Sequence, residues 1–352
     1  MIDYIIVGQG LAGTLLSHFL EAEGRKVVLI DQYHQSAASA VAAGIINPIT
    51  GRRYVKSWKI ESLLPFAQAT YQGLEQLLGV QIYHPRNVLR TLYNHREAAD
   101  WDIRMEEVAY QNYMLKTVKL GAYEKFTQPA YAYREVRQSA QVKIGNLISA
   151  YRKKLLTEDR LIEARFDFDA LKLEAQSVAY KNMRATKIIF CEGYQAKQNP
   201  FFNYLPFGGT KGEVLIVRIP NVQFEKMLKQ RVFIVPLGAD LYWIGATNDW
   251  NYKDDQPTEA GHQYLSDRLT EVLNIPFEIV SHQAAVRPTV KDRRPFLGLH
   301  PAYPQMGIFN GLGTKGASLG PFFAKHFVGF LTQKQALLQE VDIQRFSFES
   351  IK

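Results

Sequence analysis

The chain has 352 residues, of which 47% are hydrophobic and 22% are charged. This length exceeds what one hydrophobic core usually supports, so two domains are expected, and the composition excludes disordered, collagen-like and low-complexity proteins. Lys and Arg number 42 against 34 Asp and Glu, and the net charge of +8 favours an acidic substrate, a nucleic acid or simply solubility, without choosing among them.

The first residues do not resemble a targeting signal, because Asp3 interrupts the apolar start and residues 4–7 run into glycines rather than a cleavage site. No apolar run approaches the roughly eighteen residues that a membrane span needs. The single cysteine, Cys191, excludes an internal disulfide framework, and the histidines form no close Cys/His pairs of the kind that bind zinc. We therefore expect a cytoplasmic protein with no metal site and no membrane partner.

Residues 4–7 form a short apolar run, which is typical of a strand buried in a parallel sheet. The pattern G-x-G-x-x-G follows at once in residues 8–13, and the apolar residues after it recur at helical spacing: Leu15, Leu16, Phe19 and Leu20. Residues 26–30 are predicted to form a second buried strand, and Asp31 lies at its end, eighteen residues after the last glycine. This order predicts a dinucleotide-binding unit.

Each glycine of the pattern has a physical role in such a unit. Gly8 permits the tight turn, Gly10 lets the backbone approach a pyrophosphate, and Gly13 lets the helix pack closely on the strand. The phosphates would then meet the start of the helix at Leu11 and Ala12, where unpaired amides and the positive end of the dipole favour anions.

The acidic residue after the second strand completes the unit. Asp31, with Gln32 beside it, is in the position that hydrogen-bonds a ribose hydroxyl. The alternative is a tight strand-to-helix turn that binds no ligand. The pattern by itself does not distinguish NAD from FAD.

Two further segments suit a long ligand. After Asp31, small residues lead to a glycine in residues 36–44, and such a segment lets backbone amides lie against a bulky planar group, with an ordinary tight loop as the alternative. Candidate contacts in and just after this segment are Ser39, Gly44, Ile45 and Ile46. Residues 186–190 form an apolar run shortly before Gly193, and residues 310–321 contain a second glycine-rich turn into a helix.

In this order, the segments resemble the FAD-dependent oxidoreductases of the D-amino acid oxidase and glycine oxidase type. The resemblance spans the chain and rests on an ordered set of segments: 8–13, 39–44, 188–193, 245–247, 287–288 and 313–316. Residues 286–295 and 310–316 look most like the oxidase half of the bifunctional enzyme that processes carboxymethylaminomethyluridine at the tRNA wobble position. The sequence contains no counterpart of that enzyme's methyltransferase half.

The resemblance implies an α/β fold, with a Rossmann-like domain that binds FAD noncovalently and a β-rich (α+β) substrate domain. The implied boundaries are 1–75, 142–205 and 288–352 for the discontinuous FAD-binding domain, and 76–141 and 206–287 for the substrate domain. Helical spacing in residues 145–156 and strand-like runs at 214–219 and 241–244 agree with this division. Cys191 would lie on the adenosine side, so no covalent thioether to the flavin is expected.

Members of this family oxidise an amine next to a carboxylate by hydride transfer from the α-carbon to the flavin, so the protein mainly orients the substrate. Arg287 matches the position of the arginine that binds the substrate carboxylate, and a planar guanidinium suits two parallel hydrogen bonds with that group. A structural or surface arginine is the alternative. Tyr242 and Thr247 flank a strand expected to face the substrate cavity, although Tyr242 also suits the core.

The closing glycine-rich turn is expected to face the pyrimidine end of the flavin. Backbone amides there would stabilise negative charge after reduction, and the candidate contacts are Gly313, Thr314, Lys315 and Gly316. Lys315 is also the candidate catalytic side chain, either by adding to this field or by helping oxygen reduction. A solvent-facing lysine is the alternative.

Four basic residues form a local cluster beside the expected active site: Arg52, Arg53, Lys56 and Lys59. They fit a solvated loop, or a rim that binds tRNA phosphates. The favoured function is oxidation of a carbon–nitrogen bond in a small amine or amino acid, with molecular oxygen or another carrier as electron acceptor. The alternatives are oxidation of a carboxymethylaminomethyl group on tRNA, and a flavin-binding sensor or interaction protein without turnover.

Overall fold

The computed structural model describes residues 1–33 and 36–348. Its strands are β1 (Ile2–Val7), β2 (Val27–Asp31), β3 (Ile45–Ile46), β4 (Ile49–Thr50), β5 (Val55–Lys56), β6 (Tyr83–Pro85), β7 (Val88–Leu92), β8 (Met114–Leu115), β9 (Ala132–Val136), β10 (Ala140–Val142), β11 (Leu161–Glu163), β12 (Leu171–Leu173), β13 (Val178–Tyr180), β14 (Met183–Phe190), β15 (Thr210–Arg218), β16 (Met227–Lys229), β17 (Phe233–Gly238), β18 (Leu241–Gly245), β19 (Glu278–Arg287), β20 (Phe296–Leu299) and β21 (Met306–Asn310). Its helices are α1 (Leu11–Ala22), α2 (Ala38–Val41), α3 (Ile60–Leu78), α4 (His95–Glu106), α5 (Ala122–Phe126), α6 (Ile144–Thr157), α7 (Glu259–Thr270) and α8 (Gly316–Gln333).

The first sheet has a parallel centre. Strands β11, β2, β1, β14 and β21 run parallel in that spatial order, and the short strands β13, β12 and β20 join it antiparallel. Alternate side chains of β1 enter two different cores, with Ile6 facing α1, α3 and α8, and Ile5 facing the opposite side. The predicted α/β class with a Rossmann-like sheet is confirmed.

The second sheet has eight strands in the order β19, β15, β18, β17, β16, β7, β9 and β8. Neighbours are antiparallel except for β16 and β7, which are parallel. One face packs towards the first sheet, while the other forms a separate core covered by α7 through Leu265 and Leu269. This sheet accounts for the predicted β-rich region.

The strands of the two sheets lie in different parts of the chain. Those of the first sheet fall within residues 1–75, 142–205 and 288–352, and those of the second within 76–141 and 206–287. A small sheet of β3, β10 and β6 connects the two regions. The domain boundaries themselves stay a prediction.

Helices α1, α3, α6 and α8 pack together on one face of the first sheet. Helix α6 begins and ends within one residue of the predicted helical segment at 145–156. Among the helices that the structure describes, none is long and apolar enough to cross a membrane.

The packing of α1 against β1 leads to a stability prediction. A Cβ atom at Gly13 would lie 1.9 Å from the carbonyl oxygen of Gly8, so Gly13→Ala should force α1 away from the turn and lower the free energy of unfolding by about 1–3 kcal/mol. Gly73→Ala is the matched control, because it also places alanine in a helix but nothing lies within 4 Å of the new Cβ; it should stabilise by up to about 1 kcal/mol. Urea unfolding at a fixed cofactor concentration measures both, and equal effects would contradict the packing argument.

Candidate active site

A cavity of about 500 Å³ lies between the carboxyl ends of β1, β2 and β14 and the inner face of the second sheet. Ligands of open parallel sheets bind at this position, outside the carboxyl ends of the strands. Most of the residues predicted to contact the cofactor line it: Gly8, Gly10, Leu11, Ala12, Asp31, Gln32, Ser39, Gly44, Ile45, Gly193, Gly313, Thr314 and Gly316.

The glycine turn brings the start of α1 to the wall of this cavity. Gly8 has φ of 99°, and a Cβ atom there would lie 2.5 Å from the carbonyl oxygen of Cys191. Helix α1 has no acidic residue in its first turn, and its first amide, that of Leu11, donates to the Ser39 hydroxyl at 3.1 Å. The unpaired amides and dipole of a helix start favour an anionic group such as a pyrophosphate.

Asp31 is held firmly where the second strand ends. Its Oδ2 accepts from the amide of Gln9 at 2.8 Å, and its Oδ1 accepts from the amide of Tyr33 at 2.8 Å and from Arg152 at 2.9 Å. An ionised carboxylate has about four lone-pair positions, so one remains for a ligand hydroxyl. Arg152, which comes from α6, was missed in the sequence because its partner is 121 residues away.

The closing turn also reaches the cavity, but through its backbone. Gly313 and Gly316 line the cavity, the amide of Gly313 donates to the carbonyl of Pro288 at 3.1 Å, and α8 begins at Gly316. The Lys315 side chain instead donates to the Ser57 hydroxyl at 3.2 Å and does not line the cavity. This placement does not support the catalytic role predicted for the Lys315 side chain, which stays a prediction.

Two acidic or nucleophilic groups follow β14. Burial raises the pKa of the Cys191 thiol well above its ordinary value, and a neutral thiol is a poor nucleophile. Glu192 lines the cavity and accepts from Asn199 at 2.7 Å. Burial raises the pKa of Glu192 to about 7 against the opposing effect of that hydrogen bond. The sequence analysis did not identify Glu192. Its position directly after an apolar run is the feature that could have indicated it.

Arg287 lies at the end of β19 and lines the cavity. Its guanidinium donates to the side-chain oxygen of Asn248 at 3.1 Å and to the carbonyl of Thr247 at 3.2 Å, which leaves donors free out of the five that arginine carries. Gly212 leaves room for this guanidinium, because a Cβ atom at position 212 would lie 1.9 Å from it and would displace the end of the Arg287 side chain. Among the described residues no carboxylate pairs with Arg287.

The other two predicted substrate residues do not present their side chains to the cavity. Tyr242 is buried in the core on the opposite face of the sheet and donates to the carbonyl of Val222 at 2.7 Å, because successive residues of a strand face opposite sides. The next residue, Trp243, lines the cavity instead. Thr247 acts through its carbonyl, since its hydroxyl accepts from the amide of Glu213 at 2.8 Å. Both side-chain assignments are corrected.

Two predicted cofactor contacts lie behind the cavity wall. Ile46 is fully buried in β3, paired with Ala140, so the alternation of side chains sends Ile45 but not Ile46 to the cavity. Gly13 lies beneath the turn, where the predicted close packing of helix on strand is confirmed.

The substrate end of the cavity is formed by the inner face of the second sheet. Phe233 and Trp243 provide apolar walls, and the indole of Trp243 donates to the carbonyl of Val41 at 2.9 Å, which fixes the ring. Lys229 also lines this end. Burial, with the nearby charge of Arg90, lowers the pKa of Lys229 to about 8.

The basic cluster is partly neutralised in the folded chain. Lys56 pairs with Glu61, and Lys59 lies 3.7 Å from Glu340. Arg52 and Arg53 are exposed in the turn between β4 and β5. The surface charge available to a polyanion at this position is therefore smaller than the sequence suggests.

These features fit a long dinucleotide. One end offers the start of α1 and the remaining lone pair of Asp31, and the other offers the turn before α8 beside an unpaired arginine. A Cβ atom at Gly10 would lie 3.3 Å from the Ser39 hydroxyl. Because glycine has no such atom, a ligand can approach the backbone at this position.

Comparison with known proteins gives the family. Residues 3–329 match the model of the DAO family, the FAD dependent oxidoreductases, and the chain belongs to that family. Its cofactor is FAD, and its class is that of an oxidoreductase. The family inferred from the ordered motifs is confirmed.

Curated relatives include the tRNA 5-methylaminomethyl-2-thiouridine biosynthesis bifunctional protein MnmC of Marinobacter nauticus, 24% identical over 95% of this chain and 56% of the relative. The bifunctional protein ThiO/ThiG of Nostoc sp. is 25% identical over 95% of this chain and 53% of the relative. The chain thus spans about half the length of these two relatives. The crystal structure of glycine oxidase from Bacillus cereus superposes with a TM-score of 0.82 at 21% identity and covers 100% of both chains.

The raised pKa of Glu192 predicts a pH dependence of stability. Between the ordinary value of 4.5 and about 7 the folded protein keeps a proton that the unfolded chain has released, so the free energy of unfolding should fall as pH rises through this window and level off above it. The total fall is about 3 kcal/mol at most.

Glu192→Gln keeps the hydrogen-bonding shape but does not titrate, so it should remove this part of the pH dependence. Urea unfolding of the wild type and the variant at several pH values between about 5 and 8 measures it. Parallel curves for the two proteins would contradict a Glu192 that stays neutral in the folded protein up to about pH 7.

Proposed function

We propose that the protein oxidises the carbon–nitrogen bond of a small amine or amino acid that carries a carboxylate. The observation that supports this most directly is Arg287, a guanidinium in the cavity wall with unused donors and no carboxylate partner among the described residues. Buried charges are normally paired. A substrate carboxylate would supply the missing partner through two parallel hydrogen bonds.

When bound, FAD supplies the hydride acceptor. The protein's own residues then orient the amine: Arg287 holds the carboxylate, while Phe233 and Trp243 form an apolar wall that limits access of water to the reacting carbon. The start of α8 would stabilise negative charge at the adjacent end of the cofactor through its backbone dipole.

Several further expectations belong to this proposal. The flavin is held noncovalently, molecular oxygen or another carrier accepts the electrons, and the protein is cytoplasmic. The discontinuous FAD-binding domain and the substrate domain have the boundaries given by the sequence. The cofactor binding, the electron acceptor and the domain boundaries are supported by the family resemblance, and the location by the absence of a targeting signal in the first residues.

Arg287→Ala tests the proposal. The variant should weaken binding of carboxylate substrates by about 1.5–3 kcal/mol, the usual contribution of hydrogen bonds to charged groups, while FAD content stays near normal. Arg218→Ala is the matched control, because Arg218 lies at the far end of β15, paired with Glu278 outside the cavity. Steady-state kinetics with glycine, sarcosine, proline and D-amino acids measure the change. Unaltered kinetics in Arg287→Ala would reject the assigned role, and loss of flavin would make Arg287 structural.

A modified tRNA is the second candidate substrate. It is favoured by the similarity to MnmC, a protein named for its part in tRNA modification, and by the net charge of +8. It is disfavoured by the pairing of Lys56 and Lys59 with carboxylates. We therefore favour the small amine.

Salt dependence separates the two candidates. The Michaelis constant for a small amine should change by only about threefold between 50 and 200 mM salt, whereas a protein that contacts six to ten phosphates loses about 10³–10⁵ in affinity over that range. If free amines are inert and tRNA reduces the flavin with steep salt dependence, the second candidate replaces the first. In that case the double variant Arg52→Ala and Arg53→Ala should reduce the salt slope by about two.

A further inference from the structure

A second cationic position lies at the substrate end of the cavity. Lys229 ends β16 and lines the cavity, and its directly paired neighbour on β7 is Arg90. In a parallel pair, residues in register project from the same face of the sheet. Two positive side chains therefore stand side by side on this sheet face, and of the two it is Lys229 that lines the cavity.

The two cations differ in what lies near them: the Glu97 carboxylate acts on Arg90 and partly offsets the lowering of its pKa by burial, whereas no carboxylate contributes to the pKa of Lys229 among the residues that the structure describes. The contacts of Arg90 are the carbonyl of Gly51 at 3.1 Å and the ring of Tyr54, whose centroid is 4.8 Å away. The ammonium group of Lys229 lies 4.8 Å from the ring centroid of Phe233. Neither side chain takes part in an ion pair with the described chain.

A half-buried ammonium group next to another cation is unfavourable without an anion. Burial is the larger cause of the lowered pKa of Lys229, and the charge of Arg90 is the second. With a pKa of about 8, Lys229 is still mostly protonated at neutral pH. An anion bound beside it would remove the repulsion and raise that pKa again.

We propose that Lys229 binds a second carboxylate of the substrate, so that the preferred amine is a dicarboxylic one with one carboxylate at Arg287 and the other at Lys229. This inference rests on the proposed function for the role of Arg287. The intervening wall of Phe233 and Trp243 suits the short apolar part of such a molecule. Lys229 thus acts as a specificity-determining residue.

Binding of inert ligands to the oxidised holoenzyme tests this without requiring turnover. Succinate and glutarate are compared with butyrate and valerate, which have the same chain lengths and one carboxylate fewer, by following the perturbation of flavin absorbance at constant ionic strength. At least one dicarboxylate should bind the wild type about tenfold or more tightly than its partner, as one charged hydrogen bond predicts.

Lys229→Met should reduce this preference to about twofold or less, because one charged hydrogen bond is lost. Lys125→Met is the matched control, since Lys125 also lies over a phenylalanine ring, at 5.1 Å from Phe126, but outside the cavity; it should keep the full preference. If Lys229→Met does not fold, Lys229→Gln and Lys229→Arg replace it, with loss of the preference expected in the first and retention in the second.

The pH dependence adds a readout that a structural role would not change. The dicarboxylate preference should be present at neutral pH and decline above the pKa of Lys229, about 8 in the free site, whereas Lys229→Arg should keep it there because arginine stays charged. Equal binding of mono- and dicarboxylates by the wild type, or a preference that survives in Lys229→Met, would overturn the inference.

Turnover separates this inference from the proposed function. Iminodiacetate and sarcosine differ by one carboxylate, and the wild type should prefer iminodiacetate in kcat/KM while Lys229→Met should not. If no amine reduces the flavin but the succinate or glutarate preference depends on Lys229, the second carboxylate site stands and the proposed oxidation fails. If amines are oxidised without any dicarboxylate preference, the proposed function stands and this inference fails.

Discussion

The close contact between the turn at Gly8 and the helix at Gly13 is the constraint on which the cavity depends. A Cβ atom at either position would collide with a backbone carbonyl, at 2.5 Å for Gly8 and 1.9 Å for Gly13. Because both positions are bare, α1 starts directly at the carboxyl ends of β1 and β14. The positive end of the helix, the Asp31 carboxylate and the residues after β14 then converge on one place.

The second sheet supplies the charged side chains at the substrate end of the cavity, whereas the first sheet forms the cofactor end. The inner face of the second sheet presents Arg287, Lys229 and an apolar wall to the cavity between the two sheets. Neither cation has a carboxylate partner among the described residues. Unpaired cations in a half-buried wall are unfavourable in the free protein. Such an arrangement is expected where an anionic ligand completes the pairing, which links the architecture to substrate choice.

Local patterns predicted the parts of the site that lie in tight turns and directly after a strand. The glycines, Asp31 and the turn at Gly313 were found because their spacing has a physical meaning within a few residues. Side-chain direction was less predictable. Tyr242 was expected in the cavity and lies in the opposite core, since a one-residue shift along a strand reverses the face.

Contacts between distant segments could not be found from local spacing. The ion pair of Arg152 with Asp31 joins α6 to β2. Lys229 and Arg90 are neighbours because β16 and β7, which are far apart in the chain, lie side by side in the sheet. Lys315 was assigned from its place in a glycine-rich turn, but only the folded chain brings Ser57 close enough to hold its side chain.

Anaerobic mixing of the FAD-loaded protein with carboxylate-bearing amines tests the central claim most directly. The account predicts that at least one such amine bleaches the flavin absorbance, and that deuterium at its α-carbon slows the bleaching because that bond breaks in the step. The contrary result is a shift in flavin absorbance, which reports that these amines bind, without bleaching by any of them. That result would contradict the account and indicate a flavin-binding protein without amine oxidation.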